Sequence, residues 1–300
     1  VVILGAGPAG LTAGIYAVRS GLKTVILEKA VPGGQIVNTG KIENYPGFPD
    51  GVSGAELMKR FEEQAAKLGV EIKSLTEAKG LEVKDSVKVI QTSQGEIKGK
   101  SVIIATGASP TKLGVPGEAE LTGRGVSYCA TCDGAFFKGK KVLVVGGGNS
   151  AIEEAIFLTR FASQVLVVHR RDQLRAVKIL QERAMANPKI KFIWNSHLDE
   201  VKGKEKVEAA VIRDKLTQEK KIVPVEGVFI YVGVNPNTNF LPPSIKLNDK
   251  GFVVTDENLS TGLPGIFAAG DVRANQLKQV VVAVGEGALA AHLAEKYITG

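Results

Sequence analysis

Val1-Val2-Ile3-Leu4-Gly5-Ala6-Gly7-Pro8-Ala9-Gly10 decides the fold of this 300-residue chain. Its first four residues form a short apolar run suited to a buried parallel strand. The glycines then make a G-x-G-x-x-G turn. An amphipathic stretch from Leu11 to Arg19 predicts a helix, and Gly21 predicts its end. Thr24-Val25-Ile26-Leu27 reads as the next strand, closed by Glu28. Strand, glycine turn, helix and strand together form a dinucleotide-binding unit. The turn brings backbone close to a pyrophosphate at the helix N-terminus. Glu28 lies 28 − 5 = 23 positions after the first glycine, where a carboxylate would accept a ribose 2′-hydroxyl. Gly5, Gly7, Pro8, Ala9, Gly10 and Glu28 are therefore candidate cofactor-binding residues.

The same layout recurs between Lys141 and Val168, around Gly146-Gly147-Gly148-Asn149-Ser150-Ala151. Ala151 takes the third glycine position, which the fingerprint tolerates. The offset 169 − 146 = 23 now falls on His169, followed by Arg170 and Arg171. A basic cluster suits a 2′-phosphate, because guanidinium pairs its donors with phosphate oxygens. Arg175 adds a third arginine if a helix begins nearby. The first site is expected to take a dinucleotide without a 2′-phosphate, and the second NADP through Gly146, Gly148, Asn149, Ser150, Ala151, His169, Arg170, Arg171 and Arg175. The competing reading of His169-Arg170-Arg171 is a solvated basic turn.

Between the two units lies a Pro- and Gly-rich loop from Pro32 to Gly54, long enough to be functional. A helix is predicted from Ala55 to Leu68, strand-like alternation from Val70 onward, and a buried strand Val102-Ile103-Ile104-Ala105 running into Thr106-Gly107. After the second unit, the tail returns to a strand (Ile266 to Ala269), Gly270-Asp271 and a helix from about Val280 to Tyr297. The expected fold class is α/β, with two Rossmann-like domains, the second inserted into the first. The boundaries are read as 1–112, 113–240 and 241–300.

Composition narrows the function. The chain has 44% hydrophobic residues and 35 glycines, enough apolar surface for sizeable cores and many tight turns. Its formal charge is 38 − 31 = +7, but the lysines and arginines are dispersed and no nucleic-acid partner is expected. A basic surface attracts anionic cofactors and acidic proteins. Apolar segments are broken well short of a membrane span, and no charged leader precedes an apolar segment, so no signal peptide is expected. Two cysteines in 300 residues make no extracellular framework, which points to a reducing cytoplasm.

Those two cysteines sit together, as Cys129-Ala130-Thr131-Cys132-Asp133-Gly134. A structural zinc needs four ligands, and His169, His197 and His292 lack the spacing to complete one. A thioredoxin-like domain would need its own small fold, which is not visible. Two inert thiols remain an alternative. The flanking nucleotide sites favour a redox disulfide reduced by a bound flavin. One thiolate then attacks a target disulfide and the other resolves the mixed disulfide. Asp133 is a candidate proton shuttle, or simply the first residue of an Asp-Gly turn.

These motifs, taken in order with Gly33-Gly34-Gln35, Ala105-Thr106-Gly107 and Phe267-Ala268-Ala269-Gly270-Asp271, resemble low-molecular-weight thioredoxin reductases across essentially the whole chain. The resemblance implies FAD at the first site, NADPH at the second, and a homodimer that reduces thioredoxin. It implies catalysis by Cys129, Cys132 and Asp133, with Cys132 nearest the flavin. It also implies FAD contacts from Glu28, Lys29, Gly33, Gly34, Gln35, Asn44, Ala105, Thr106, Gly107, Gly270, Asp271, Lys278, Gln279 and Val280. Lys278-Gln279-Val280 departs from the family's Arg-Gln-Ala. Competing functions are reduction of another small dithiol protein, a flavin dithiol oxidase, and a flavin-binding redox sensor without turnover.

Overall fold

The computed structural model describes residues 1–300 except Gly40, Lys41, Glu43 and Asp85, and the side chains of Asn38, Thr131 and Cys132. It divides into two compact units, one of residues 1–109 with 235–300 and one of residues 110–234.

The first part of the first unit runs β1 (Val2–Leu4), α1 (Pro8–Arg19), β2 (Val25–Leu27), α2 (Gly54–Lys67), β3 (Glu71–Lys73), β4 (Ala78–Lys84), β5 (Val87–Thr92), β6 (Gly95–Gly99), β7 (Val102–Ile104) and β8 (Ala108–Pro110). Helix α1 starts at Pro8, three residues before the periodic run that predicted it, because proline is at home in the first helical turn. Ser53 caps α2 by accepting from the Glu56 N–H at 3.1 Å.

The second unit follows with β9 (Val126–Ser127), the short α3 (Ala130–Asp133), β10 (Lys141–Val145), α4 (Asn149–Leu158), β11 (Gln164–Val168), α5 (Lys178–Met185), β12 (Ile190–Ile193), β13 (Ser196–Lys202), β14 (Ala209–Asp214), β15 (Lys220–Pro224) and β16 (Gly227–Ile230). Its main sheet has the order β12-β11-β10-β16-β9, parallel throughout. Strands β13-β14-β15 form a separate antiparallel sheet. The parallel strands are apolar on both faces, as a sheet covered on both sides requires. Val142, Val144, Val165, Val167 and Phe229 enter one core. The alternate residues Leu143, Val145, Leu166, Val168 and Ile230 enter the other.

The chain returns to the first unit through β17 (Val234–Pro236), β18 (Ile266–Ala268) and α6 (Val280–Thr299). Strands β8 and β17, at the two crossings, pair with each other. The crossings lie a few residues before the boundaries read from the sequence. The first unit's main sheet is β18-β7-β1-β2-β3, again parallel. Ile3, Ile26 and Ile103 point into the core that α1 and α6 cover, and Val2, Leu4, Val102 and Ile104 point to the opposite one. In each unit the glycine turn therefore leaves the carboxyl end of a central parallel strand, where α/β sheets bind ligands.

Candidate nucleotide sites and the cysteine motif

In the first unit the turn is held by its own backbone. Gly5 has φ +102°, a conformation that side chains other than glycine's rarely adopt. A Cβ on Gly10 would overlap the Gly5 carbonyl oxygen, whereas one on Gly7 would meet nothing nearer than Gly34 Cα at 3.9 Å. Glu28 is buried; its Oε2 accepts the Ala6 N–H and its Oε1 the Ala30 N–H, each at 2.9 Å. The carboxylate thus fixes the turn, and each oxygen keeps a second lone pair for a hydroxyl. Pro8 and Ala9 open α1, Lys29 is exposed, and Gly33 N–H bonds the Ala6 carbonyl at 2.8 Å, which joins the Gly33-Gly34 turn to the first glycine turn.

The other positions expected at this site fall on the 32–54 loop and on two further loops of the same unit. Gln35 Nε2 donates to the Ala108 carbonyl at 2.5 Å. Ala105 and Gly107 flank Thr106, whose Oγ1 donates to the Asn237 carbonyl at 2.8 Å, and Asn237 Nδ2 returns a bond to the Thr106 carbonyl at 2.8 Å. Asn44 Nδ2 donates to Gln279 Oε1 at 2.9 Å, just before Val280 begins α6. Gly270 N–H donates to Glu286 at 2.7 Å, and Glu286 also pairs with Arg273. Burial pushes the Asp271 carboxyl up, opposed by the charge of Lys278. Lys278 Nζ donates to the carbonyls of Asp271 and Arg273 and to Asn275 Oδ1, at 2.8, 3.0 and 3.0 Å, and sits 4.0 Å from the Phe252 ring centroid. Its charge is engaged by its own loop.

In the second unit Gly146 has φ +147°. A Cβ on Gly148 would meet no atom within 4 Å, while one on Gly147 would collide with the His169 ring. Ala151 is buried beneath the turn and Ser150 is exposed. Asn149 Oδ1 accepts the Val177 N–H at 2.8 Å, and the Arg175 N–H bonds the Gly147 carbonyl at 2.7 Å, so the arginine loop is tied to the glycine turn. Arg170, Arg171 and Arg175 are exposed, and among the described residues none of them makes an ion pair.

His169 departs from the expected basic cluster. It is 3% exposed and its ring stands edge-on to Trp194, with centroids 6.5 Å apart. Burial, with the charges of the neighbouring arginines, holds its imidazole below the ordinary range. A neutral packed ring adds no charge toward a phosphate. The positive charge of this loop rests on the three arginines.

The cysteine motif lies in the same unit: Cys129 follows β9 and leads directly into α3. Cys129 is disulfide-bonded, in a chain whose one other cysteine is Cys132; the Cys132 side chain lies outside the described residues. The Cys129 N–H donates to Ser127 Oγ at 3.0 Å, and its carbonyl accepts the Asp133 N–H at 3.1 Å. Asp133 is half-buried. The Ala130 N–H donates to Tyr231 Oη at 2.7 Å. Tyr128, preceding Cys129, donates to Glu118 Oε1 at 2.6 Å. Buried Glu118 also accepts the N–H groups of Leu113, Gly114 and Val115. Burial and this carboxylate push the Tyr128 phenol up to about 12.

The sequence profile of the pyridine nucleotide-disulphide oxidoreductases matches residues 1–287. The thioredoxin reductase of Listeria monocytogenes is 50% identical, with 99% of this chain and 93% of that protein covered. That of Peptoclostridium acidaminophilum is 46% identical, covering 99% and 96%. The crystal structure of Lactococcus lactis thioredoxin reductase superposes with a TM-score of 0.95 at 47% identity, covering 99% of this chain and 98% of that one. The T. acidophilum enzyme gives 0.95 at 37% identity, covering 100% and 98%. The chain belongs to the thioredoxin reductases.

As a member of that family it is a flavoprotein oxidoreductase that carries FAD and uses NADPH. Both glycine turns fit such groups: each leaves a central parallel strand and keeps an open glycine, Gly7 or Gly148, facing the space a pyrophosphate needs. Among the described residues no helix is long and apolar enough to cross a membrane. Sequence reading missed Asn237, Glu286, Glu118 and Tyr231, single polar residues in segments without a motif. Asn237 and Tyr231 meet partners far away in sequence, Thr106 and Ala130, while Glu118 gathers the backbone of its own turn.

Proposed function

We propose that this chain reduces the disulfide of thioredoxin through Cys129 and Cys132. The observation that carries this reading is the disulfide at Cys129, beside a short helix in the unit that holds the second glycine turn and its exposed arginines. The relatives' names support thioredoxin as the partner.

When bound, FAD would supply the two-electron chemistry that links the hydride of NADPH to a disulfide. The residues of the chain divide the remaining work. The Gly5–Gly10 turn, Glu28, the Gly33–Gln35 turn, Asn44, the Ala105–Gly107 loop and the Gly270–Val280 loop hold FAD in the first unit. The Gly146–Ala151 turn with Arg170, Arg171 and Arg175 would hold NADPH in the second; three exposed guanidinium groups, without acidic partners among the described residues, match a 2′-phosphate. Once the dithiol is reduced, one thiolate attacks a sulfur of the thioredoxin disulfide and expels a thiolate. The remaining cysteine then attacks the mixed disulfide, re-forming the Cys129–Cys132 bond and releasing reduced thioredoxin. Asp133, within the motif and half-buried, moves protons to and from the leaving thiolate. The working form is a homodimer in the cytoplasm; the sparse cysteines support a reducing compartment.

Cys132→Ser tests this reading. The variant should stay yellow and accept hydride from NADPH, since neither step needs sulfur. Thioredoxin reduction should fall to background while slow oxygen-dependent NADPH oxidation persists. Substantial thioredoxin turnover by a well-folded variant would place the working sulfur elsewhere.

A further inference from the structure

Glu154 is an acid on an apolar stripe. Helix α4 turns Ala151, Ile152, Ala155 and Leu158 into the core of the second unit, and Glu154 lies three residues after Ala151 and four before Leu158, on the same face. Its Oε2 is buried without a hydrogen-bond partner. A buried carboxylate left unpaired is costly, and burial together with the like charge of Glu153 pushes this carboxyl up to about 7. The elements packed on α4 bring Asp133 from α3, Lys141 at the start of β10, and Lys178, Glu182 and Arg183 from α5; Lys178 and Glu182 pair with each other. None of these supplies a hydrogen bond to the orphaned oxygen.

Tyr231, just after β16, connects this acid to the cysteine motif. It packs against the core that contains Ala130, Ala151 and Ala155. Its Oη accepts the N–H of Ala130, the residue after Cys129. Burial, and then the charges of Glu154 and Asp133, raise its pKa, so the phenol stays protonated. A hydroxyl proton and a carboxylate oxygen, both without a partner among the described residues, thus belong to one cluster that reaches the cysteine motif at Ala130.

We propose that Glu154 is a proton-holding residue for the dithiol: it takes up one proton as the Cys129 disulfide is reduced and returns it as the disulfide re-forms, with Tyr231 carrying the coupling to the backbone at Ala130. Reduction by two electrons with two protons then yields one thiol, one thiolate and one protonated Glu154; atoms and charge balance. The electrons are those the NADPH-dependent reaction delivers. The new thiolate charge raises the affinity of Glu154 for its proton, while re-forming the disulfide lowers it. Uptake therefore occurs from about neutrality upward, and lower pH favours the reduced state by more than the sulfurs alone account for. Glu154 acts through Tyr231 and is a positioning residue rather than a catalytic one. The proposal rests on the reading of Cys129 and Cys132 as the working dithiol.

The test equilibrates the holoenzyme with reduced and oxidised dithiothreitol across neutral pH and counts free protein thiols by alkylation and mass. The wild-type exchange constant should carry an extra pH dependence of about tenfold for each unit by which the Glu154 pKa moves. Glu154→Gln, nearly isosteric, should lose that component, and Tyr231→Phe should shrink it. Superimposable curves for wild type and Glu154→Gln would overturn the proposal. Should Glu154→Gln not fold, the wild-type redox-difference infrared spectrum decides: reduction near neutral pH must add a protonated-carboxyl band, and its absence sinks the idea. A disulfide that dithiothreitol never reduces would overturn the dithiol reading itself, and this proposal with it.

Discussion

Three arginines and a histidine occupy one loop of the second unit, and burial separates them into two roles. His169 packs against Trp194 and fills the space over Gly147, while Arg170, Arg171 and Arg175 stand in solvent. Spacing alone places all four near the cofactor. It cannot tell a charged ring from a neutral one, because that depends on which neighbours exclude water. The charge-bearing pair is open to test. Hydrogen bonds to charged groups contribute about 1.5–3 kcal/mol each. Arg170→Ala with Arg171→Ala should therefore lower the preference for NADPH over NADH by roughly a hundredfold to ten-thousandfold. The loss should appear in kcat/KM for NADPH, with the NADH value little changed. An unaltered ratio would move the 2′-phosphate to another part of the unit. Tyr231 illustrates the opposite limit of legibility: it is one polar residue whose meaning comes from a distant partner, Ala130, and no local pattern announces it.

Among the elements, the strand–turn–helix segments were the most legible, because their requirements are local. A strand buried on both faces needs a continuous apolar run, and a helix that starts against a pyrophosphate needs glycine where backbone meets backbone. The glycines of the first turn nevertheless serve different ends. Gly10 is needed by the fold, since a Cβ there would overlap the Gly5 carbonyl, whereas Gly7 has room for one. Gly10→Ala should therefore melt at a clearly lower temperature, in line with overpacking costs of about 1–3 kcal/mol or more. Gly7→Ala should melt near the wild-type apoprotein yet retain much less FAD, because its methyl group occupies space the cofactor needs. Flavin content and apoprotein melting curves separate the two. Equal melting temperatures with equal flavin content would show that the turn does not hold the pyrophosphate. The antiparallel strands β4–β6 and β13–β15 were harder to delimit. Their alternation is broken by bulges at Ala78/Gly80 and Leu198/Glu200, which shift the pattern by a residue.

For the whole molecule, the inserted arrangement follows from two fingerprints and a returning tail, but the crossing points do not. The crossings are set by pairing between β8 and β17, which joins residues more than a hundred positions apart. That pairing carries a consequence for the second unit. Thr111 N–H bonds the Gly233 carbonyl at 2.9 Å, so the unit begins and ends at one place. Both of its cores draw on residues 113–232 alone. Its 234 − 110 + 1 = 125 residues are an ordinary domain size. Excised as residues 110–234, it should fold by itself, bind NADPH in preference to NADH, and hold no flavin. The single tryptophan, Trp194, lies beside His169 at the base of the arginine loop, so bound NADPH should quench its emission by energy transfer. The complementary piece, residues 1–109 joined to 235–300 by a short glycine-serine linker, should remain yellow and ignore NADPH. A fragment that stayed unfolded would show that the second unit depends on the first for its stability. A folded fragment blind to NADPH would remove the nucleotide site from this unit.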